Sequence, residues 1–527
     1  MSSVAVIGAG PQGLVTAKNL LEEGFKVTVF EARPSIGGLW QYCEPEKWTS
    51  VLQSTLGNVS KYRNCFTDYP VQDDEPLHMD SRQTMDYIES YATKFALHQY
   101  VQLDTRVEEV TRSSDVQQWQ LRLSKNGTIE TLACDKVVLT TGTNNLPIIP
   151  EIVGRTLFKG TIAHSQAFKR ASDYEGKSVI VLGAGTTAAD TACELVGHAK
   201  NIYFSHRHGN LVMKRVIGGT PLDLIANRRK ACIRDTMLAW APIAGQKMFD
   251  TVAGKMGKAS FDLDPAWKFD PAPSMATHRP IISEDFVPQL RAGAISSVPG
   301  IVRVVDVDHV ELDDGSQIQV DGIICATGYT PDYSLIPEIQ LYDQALKTDD
   351  PENPMPPVRL YQNIFPPAYA DSIAFLNNWA LGDGILAVGD LVSMALAQIW
   401  KGSFQLPSPE QMNREIDGHH AWLRTVAAPR VARSFTVRQG QWMAWLNAAA
   451  GTGVNEKLGY GRHGWWYWAN NRADCDLLMA GLDSPHVWRL FEGRRKRWEG
   501  AMEAIRKANH DFLRDRERLL HDEGKGD

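Results

Sequence analysis

The chain has seven cysteines (Cys43, Cys65, Cys134, Cys193, Cys232, Cys325, Cys475), yet no CxxC pair and no His/Cys cluster. That excludes a dithiol redox centre and a zinc site, and it fits reduced thiols in a cytoplasmic protein. No uninterrupted apolar run reaches membrane-spanning length, so no transmembrane helix is expected. A basic block is missing too. Net charge is −7, and the longest Lys/Arg run, Arg494 to Arg497, reads as a solvated helix face, which argues against a general nucleic-acid binder. The first apolar strand starts so near Met1 that a secretory leader is not expected.

With 527 residues and 43% hydrophobic content, the chain has room for two or three packed domains. The first is legible at once. Val4 to Ile7 is a short, apolar, β-branched run suited to a buried parallel strand, and it feeds directly into Gly8-Ala9-Gly10-Pro11-Gln12-Gly13. In such a turn Gly8 permits the backbone bend, Gly10 lets a pyrophosphate approach main-chain N–H groups, and Gly13 lets the next helix pack on the strand. A helix from Leu14 to Glu23 presents its unpaired N-terminal donors to the anion, and a second strand, Lys26 to Phe30, ends at Glu31. A carboxylate there accepts both ribose hydroxyls. Strand, turn, helix, strand and acid in register make a dinucleotide cradle, and Gly37-Gly38-Leu39-Trp40 adds a second glycine turn with an aromatic lid suited to a bulky flavin.

Further along, a helix is expected over Ser81 to Ala96. Antiparallel strands are expected between Val101 and Leu132, turning at Asn126-Gly127, and a buried strand over Lys136 to Thr140. Pro147 and Pro150 mark a hinge. Ser178 to Leu182 then repeats the opening pattern, followed by Gly183-Ala184-Gly185-Thr186-Thr187-Ala188-Ala189-Asp190, with Ala188 in place of the third glycine. After the next strand, Asn201 to Phe204, come Ser205-His206-Arg207 and no acid. With no carboxylate to repel it, a 2′-phosphate is held by Arg207, which favours NADPH over NADH; the plainer alternative is a surface arginine on a loop.

Leu211 to Pro280 has weak periodicity and reads as an inserted mixture of loops and helices, with a buried satellite core the expected packing and a tunnel wall or membrane contact the alternatives. Asp321 to Cys325 is a buried strand ending in Ala326-Thr327-Gly328-Tyr329, which echoes Thr140-Thr141-Gly142. Each such strand is expected to close one nucleotide fold, and Ile373 to Leu376 with Gly389-Asp390 to complete the first. A helical, tryptophan-rich end follows (Trp442, Trp445, Trp465, Trp466, Trp468). Its last helix carries Trp498, Met502, Ile505 and Phe512 on one stripe. The fold expected is α/β, with two Rossmann-like dinucleotide-binding domains and a helical C-terminal extension. The order is 1–170 for the first part of one domain, 171–330 for the second with its insertion at about 211–280, 331–430 for the return, and 431–527 for the helical end.

Between the two glycine turns lies Phe158-Lys159-Gly160-Thr161-Ile162-Ala163-His164-Ser165-Gln166-Ala167-Phe168, which fits FxGxxxHxxxF. With both cradles and Ala326-Thr327-Gly328-Tyr329, this resembles the flavin-containing monooxygenases over the chain to about residue 400. The resemblance implies FAD in the first fold, held by Gly8, Ala9, Gly10, Pro11, Gln12, Gly13, Glu31, Leu39 and Trp40. It implies NADPH in the second, at Gly183, Gly185, Thr187, Ala188, Ala189, Asp190 and Arg207. Val107, Thr327 and Gly328 join the cofactor contacts. Asn58-Val59-Ser60-Lys61 resembles the family's Asn-Ser-Ser-Lys, whose asparagine points at flavin and nicotinamide cofactor; Val59 departs from it and removes one hydroxyl. Phe158, Gly160, His164 and Phe168 form the fingerprint, with His164 read as positioning the linker and proton transfer as the alternative.

The activity implied is oxygenation of a soft nucleophile, amine nitrogen or thioether sulfur, in a small molecule, by NADPH and O2 through a C4a-hydroperoxyflavin. Asn58 is the residue expected at the chemistry, with a loop-capping amide as its alternative. A Baeyer–Villiger monooxygenase acting on a ketone is the nearest rival, though such enzymes usually close the fingerprint with tryptophan where Phe168 stands. A flavin- or NADPH-binding sensor is the non-enzymatic one. The hydrophobic membrane tail of the mammalian members has no counterpart in the sequence.

Overall fold

The computed structural model describes residues 1–46, 48–112, 118–342, 356–376, 378–427 and 435–523. It opens with β1 (Ser3–Ile7), α1 (Pro11–Glu22) and β2 (Lys26–Phe30), the two strands pairing parallel from Ser3↔Lys26 to Ile7↔Phe30. Val4 to Ile7 are all buried, as a strand covered on both faces requires. Proline at the first turn costs α1 no hydrogen bond, and Gly24 at φ +87° lets the chain turn out of it. The next helix, α2 (Ser81–Lys94), starts on a capping box between Asp80 and Gln83. After β3 (Val101–Gln102) comes an antiparallel ribbon, β4 (Thr105–Arg112), β5 (Trp119–Lys125) and β6 (Thr128–Cys134). Its hairpin turns at Asn126 and Gly127, both at positive φ. β7 (Lys136–Leu139) then returns to the sheet beside β1.

A second parallel sheet is assembled from β8 (Thr161–His164), β9 (Ser178–Leu182) and, after α3 (Thr186–Glu194), β10 (Asn201–Ser205). The inserted stretch folds mainly as α4 (Arg228–Trp240) and α5 (Pro242–Ser260), ahead of β11 (Ser296–Val298) and β12 (Gly322–Cys325). These strands stand in the order β11-β10-β9-β12-β8. The chain then returns to the first sheet with β13 (Ile373–Phe375), giving β13-β7-β1-β2-β3. In each sheet the first strand of the glycine turn is central, so both cradles open at the carboxyl ends of the strands.

The inserted stretch does not form the satellite core expected of it. Val212, Phe261 and Phe269 are buried in the second unit's core, but α4 buries no residue and Trp240 is 87% exposed. The helix is held by polar attachments instead: Arg228 pairs with Asp483 at 2.8 Å and Asn227 donates to the Ala480 carbonyl at 3.0 Å.

Beyond β13 lies α6 (Ile385–Trp400), mostly apolar and buried from Leu386 to Trp400, with Asp390, Ser393 and Gln398 its polar members, as expected of a helix enclosed on every side. The helices that follow are α7 (Pro409–Ala427), α8 (Gln439–Ala450), α9 (Arg462–Asn470), α10 (Arg472–Ala480) and α11 (Ala501–Glu523), and α6 packs between α1 and α8. This C-terminal part shares one core with the first sheet, with Leu14, Leu391, Trp442, Leu478 and Ile505 in a single cluster. Arg489, 1% exposed, reaches Asp68 at 3.3 Å, Glu22 at 3.1 Å and Asp390 at 3.6 Å.

Two details of this region differ from the sequence reading. Trp498 precedes α11, its ring against His486 at 5.3 Å, so the helical stripe begins at Met502. The basic run is not a solvated helix face: Arg495 is buried and donates to the carbonyls of Trp488, Phe491 and Thr452 at 2.6, 2.8 and 3.1 Å. Burial pulls its pKa down to about 10.

Candidate functional site

The first cradle is shaped by what a side chain would strike. A Cβ on Gly13 would lie 1.9 Å from the Gly8 carbonyl oxygen, and one on Gly8, at φ +107°, would lie 2.8 Å from the Thr140 carbonyl oxygen. Glycine is therefore obligatory at both. Gly10 meets only Gly38, at 3.6 Å, which leaves the turn open to a phosphate-sized group. Glu31 is buried at its rim, its carboxylate accepting from the Ala9 N–H at 2.7 Å and the Arg33 N–H at 2.9 Å. Arg33 in turn donates to the Gly38 carbonyl at 2.8 Å, which fixes the second glycine turn carrying Leu39 and Trp40. Gln12 is buried and donates to the Gly389 carbonyl at 3.1 Å, so α6 backs the cradle. Pro11 opens α1 behind it.

The second cradle repeats the design. Gly183 sits at φ +136° with a Cβ position 2.5 Å from the Ala326 carbonyl oxygen, and Gly185 has no neighbour within 4 Å of its own. Ala188 and Ala189 are fully buried against the sheet, which is why a methyl serves where the first cradle needs a third glycine. Thr187 is exposed at the mouth, and Asn210 donates to the Ala184 carbonyl at 2.6 Å. Burial raises the Asp190 carboxyl to about 6, against the pull of Arg215. Arg207 lies two residues past the end of β10 and is exposed, while its neighbour His206 is buried and engaged by Ser297 at 2.9 Å.

Between the cradles runs the segment around Asn58. Gly57 donates to the Met79 carbonyl at 2.8 Å and accepts from Arg215 Nε at 3.3 Å, and Arg215 also pairs with Glu284 of the second unit. Ser60 donates to Asp223 from its hydroxyl at 2.6 Å and from its backbone at 3.1 Å. Arg63 pairs with Asp383, just before α6, at 2.7 Å. Asn58 is thus held at the seam of both units, and its Oδ1 is buried with no hydrogen-bond partner among the described residues. A buried amide oxygen without a partner is costly in a closed protein. Together with the two open glycine turns it fits a site that is completed by bound cofactors. Val59 adds no polar atom beside it.

The fingerprint residues lie elsewhere. His164 Nε2 faces the Gly328 carbonyl at 2.9 Å, Nδ1 accepts from the Gln166 N–H at 3.1 Å, and burial lowers its pKa. Both ring nitrogens are occupied by backbone, which ties the linker to the end of β12. A Cβ on Gly160 would lie 2.4 Å from the Asp321 carbonyl oxygen and 2.6 Å from the Phe158 ring, and Phe168 is buried on Tyr174. Thr327 donates to the Ile148 carbonyl, and Gly328 takes φ +89°. Val107 is buried in the ribbon core with Ile7, Phe30 and Trp119. The sequence reading missed Arg215, Asp223 and His78, which surround the Asn58 segment from three separate stretches that carry no motif.

Two nucleotide cradles facing one polar seam define a two-cofactor oxidoreductase, and among the described residues no cluster of side chains could hold a metal ion. The family model for flavin-binding monooxygenase-like proteins matches residues 1–513. The chain is similar to monooxygenase aurF of Gibberella zeae, with 39% identity over 97% of this chain and 98% of that protein. To flavin-containing monooxygenase 2 of Homo sapiens it is 30% identical over 78% of this chain and 76% of that one. The same fold occurs in S-allyl-L-cysteine S-oxygenase from Allium sativum, with a TM-score of 0.61 and 20% identity, covering 97% of this chain and 99% of that one. It occurs again in OTEMO complexed with FAD and NADP, with a TM-score of 0.62 and 17% identity, over 85% of this chain and 97% of that one. The chain belongs to the flavin-binding monooxygenase-like family, and it is an NADPH-dependent flavin monooxygenase with FAD and NADPH as its cofactors. No helix among the described residues is long and apolar enough to cross a membrane.

Proposed function

We propose that this enzyme transfers one oxygen atom of O2 to a soft nucleophile, an amine nitrogen or a thioether sulfur, of a small organic molecule. The observation that carries this reading is the Asn58 amide at the seam of the two units, whose oxygen is buried with no hydrogen-bond partner among the described residues. An amide donates and accepts hydrogen bonds but releases no proton near neutral pH, so it holds an oxygen-activating site without acting as an acid. Gly8, Gly10, Gly13 and Glu31 would hold the FAD pyrophosphate and ribose, with Leu39 and Trp40 beside the ring. Gly183, Gly185, Thr187 and Arg207 would hold NADPH, Arg207 at its 2′-phosphate. When bound, the flavin supplies hydride acceptance from NADPH and activation of O2. The chain's own work is to close the seam against water, through the Ser60–Asp223 and Arg215–Gly57 contacts, and to keep proton donors away from Asn58.

Purified holoenzyme should bleach with NADPH, recover in air, and oxygenate amines or thioethers in preference to cyclic ketones. Phe168 packs on Tyr174 in the linker and not at the seam, so a ketone preference in that panel would replace this reading with Baeyer–Villiger chemistry.

A further inference from the structure

The hairpin of α4 and α5 turns through a largely exposed stretch that carries no charge. From Thr236 to Ala244 it reads Thr-Met-Leu-Ala-Trp-Ala-Pro-Ile-Ala, and Trp240 and Ile243 are 87% and 54% exposed. Along α4, Ile233, Met237 and Trp240 recur at helical spacing on one open face. An open groove lined by Ile233, Met237 and Tyr460 joins that face to the chain just ahead of α9, where Trp465, Trp466 and Trp468 are exposed as well. Among the described residues, every exposed tryptophan stands on α4 or α9.

The same hairpin is basic within an acidic chain. Residues 228–260 hold seven Lys/Arg and two Asp, while the whole chain carries a net charge of −7. Both acids are occupied internally. Asp235 pairs with Arg234 at 2.8 Å, and Asp250 accepts from the Gln246 amide at 2.9 Å and the Met275 N–H at 3.0 Å. Helical spacing puts Lys247, Lys255 and Lys258 on the side of α5 that carries Ile243, Met248 and Val252; all six are exposed, and the three lysines have no acidic partner among the described residues.

Indole rings and aliphatic side chains interleaved with unpaired lysines match an anionic lipid surface, where the apolar groups enter the headgroup boundary and the ammonium groups meet lipid phosphates and carboxylates. A second copy of the chain matches the face less well, since a two-fold contact would bring the lysines of both copies together. No helix among the described residues can cross a bilayer, so the contact lies along the surface. We infer that the α4–α5 hairpin, with Tyr460 and the tryptophans of α9, docks this enzyme on membranes that carry anionic lipid. The inference goes beyond the oxygenation reading and does not depend on which atom is oxidised.

Co-sedimentation of the purified holoenzyme with lipid vesicles tests it. At low salt, vesicles of phosphatidylcholine with about one-third phosphatidylserine should bind the enzyme roughly 100-fold more tightly than phosphatidylcholine alone, the effect of three lysines at an anionic surface, and added salt should erase the difference. Lys247→Gln, Lys255→Gln and Lys258→Gln combined should remove it. Trp240→Ser with Ile243→Ser should weaken binding to both vesicles roughly ten-fold or more. Flavin content and NADPH oxidation without lipid should match the wild type in both variants. No binding to either vesicle, equal binding to both, or undiminished binding by the serine variant overturns the inference. So does a dimer in lipid-free sedimentation velocity that either variant dissociates, because the face then belongs to a second copy. Should the serine variant lose its flavin, the glutamine variant decides alone: a phosphatidylserine preference that survives it overturns the inference.

Discussion

Ser60 and Asp223 stand 163 positions apart in the chain and 2.6 Å apart in space, the hydroxyl donating to a carboxylate carried by the inserted stretch. Burial pushes that carboxyl up, and Ser60 opposes the shift by donating to it twice. Ser60→Ala removes one of the two donors. We expect a loss of about 1–3 kcal/mol in stability, measured as a lowered denaturant midpoint, together with more hydrogen peroxide released per NADPH as the seam loosens.

Asn58→Asp places an acid where the amide stands. The variant should keep its flavin and oxidise NADPH, yet release hydrogen peroxide with little oxygenated product. Product formation matching NADPH consumption would refute the role given to Asn58.

Arg207 is exposed, with its stem over Gly300. Arg207→Ala should raise KM for NADPH roughly 10- to 100-fold, the range of one or two charge-assisted hydrogen bonds, and leave KM for NADH and the melting temperature alone. Steady-state kinetics with both nucleotides decide it.

Asp190 gives a pH signature of defined sign. Its carboxyl is held up at about 6, against 3.8 ordinarily, chiefly by burial. Between those values the folded chain keeps a proton that the unfolded chain has released. The stability owed to neutral Asp190 is therefore whole below about 3.8 and is lost as pH rises through 6, up to about 3 kcal/mol. Asp190→Asn should flatten this decline in denaturant midpoints compared across that window; identical pH profiles would show that the carboxyl titrates normally.

Arg489 is the cation shared by Asp68, Glu22 and Asp390. Arg489→Ala leaves these carboxylates facing one another with Lys18 and Lys496 as their ion-pair partners among the described residues, and should cost about 3–5 kcal/mol, enough to abolish folded protein at moderate temperature.

Both cradles were legible in the sequence because their constraint is local: a glycine turn between a buried strand and a helix has few substitutes. The seam was legible only at Asn58. His78, Arg215 and Asp223 reach it through contacts between distant segments, such as Arg215 with Gly57, and nothing in their immediate neighbours marks them. The misread of Arg494–Arg497 has the same origin, since the carbonyl that captures one arm of Arg495 belongs to Thr452. Exposure of α4 was illegible because Leu238 to Ile243 looks like core from composition, whereas the helix is fastened through Arg228 and Asn227.

The Arg489 clamp also sets an order of events during synthesis. Glu22, Asp68 and Asp390 emerge from the ribosome well before the guanidinium that neutralises them. The flavin-side fold therefore lacks this clamp until residue 489 has been made and packed against it.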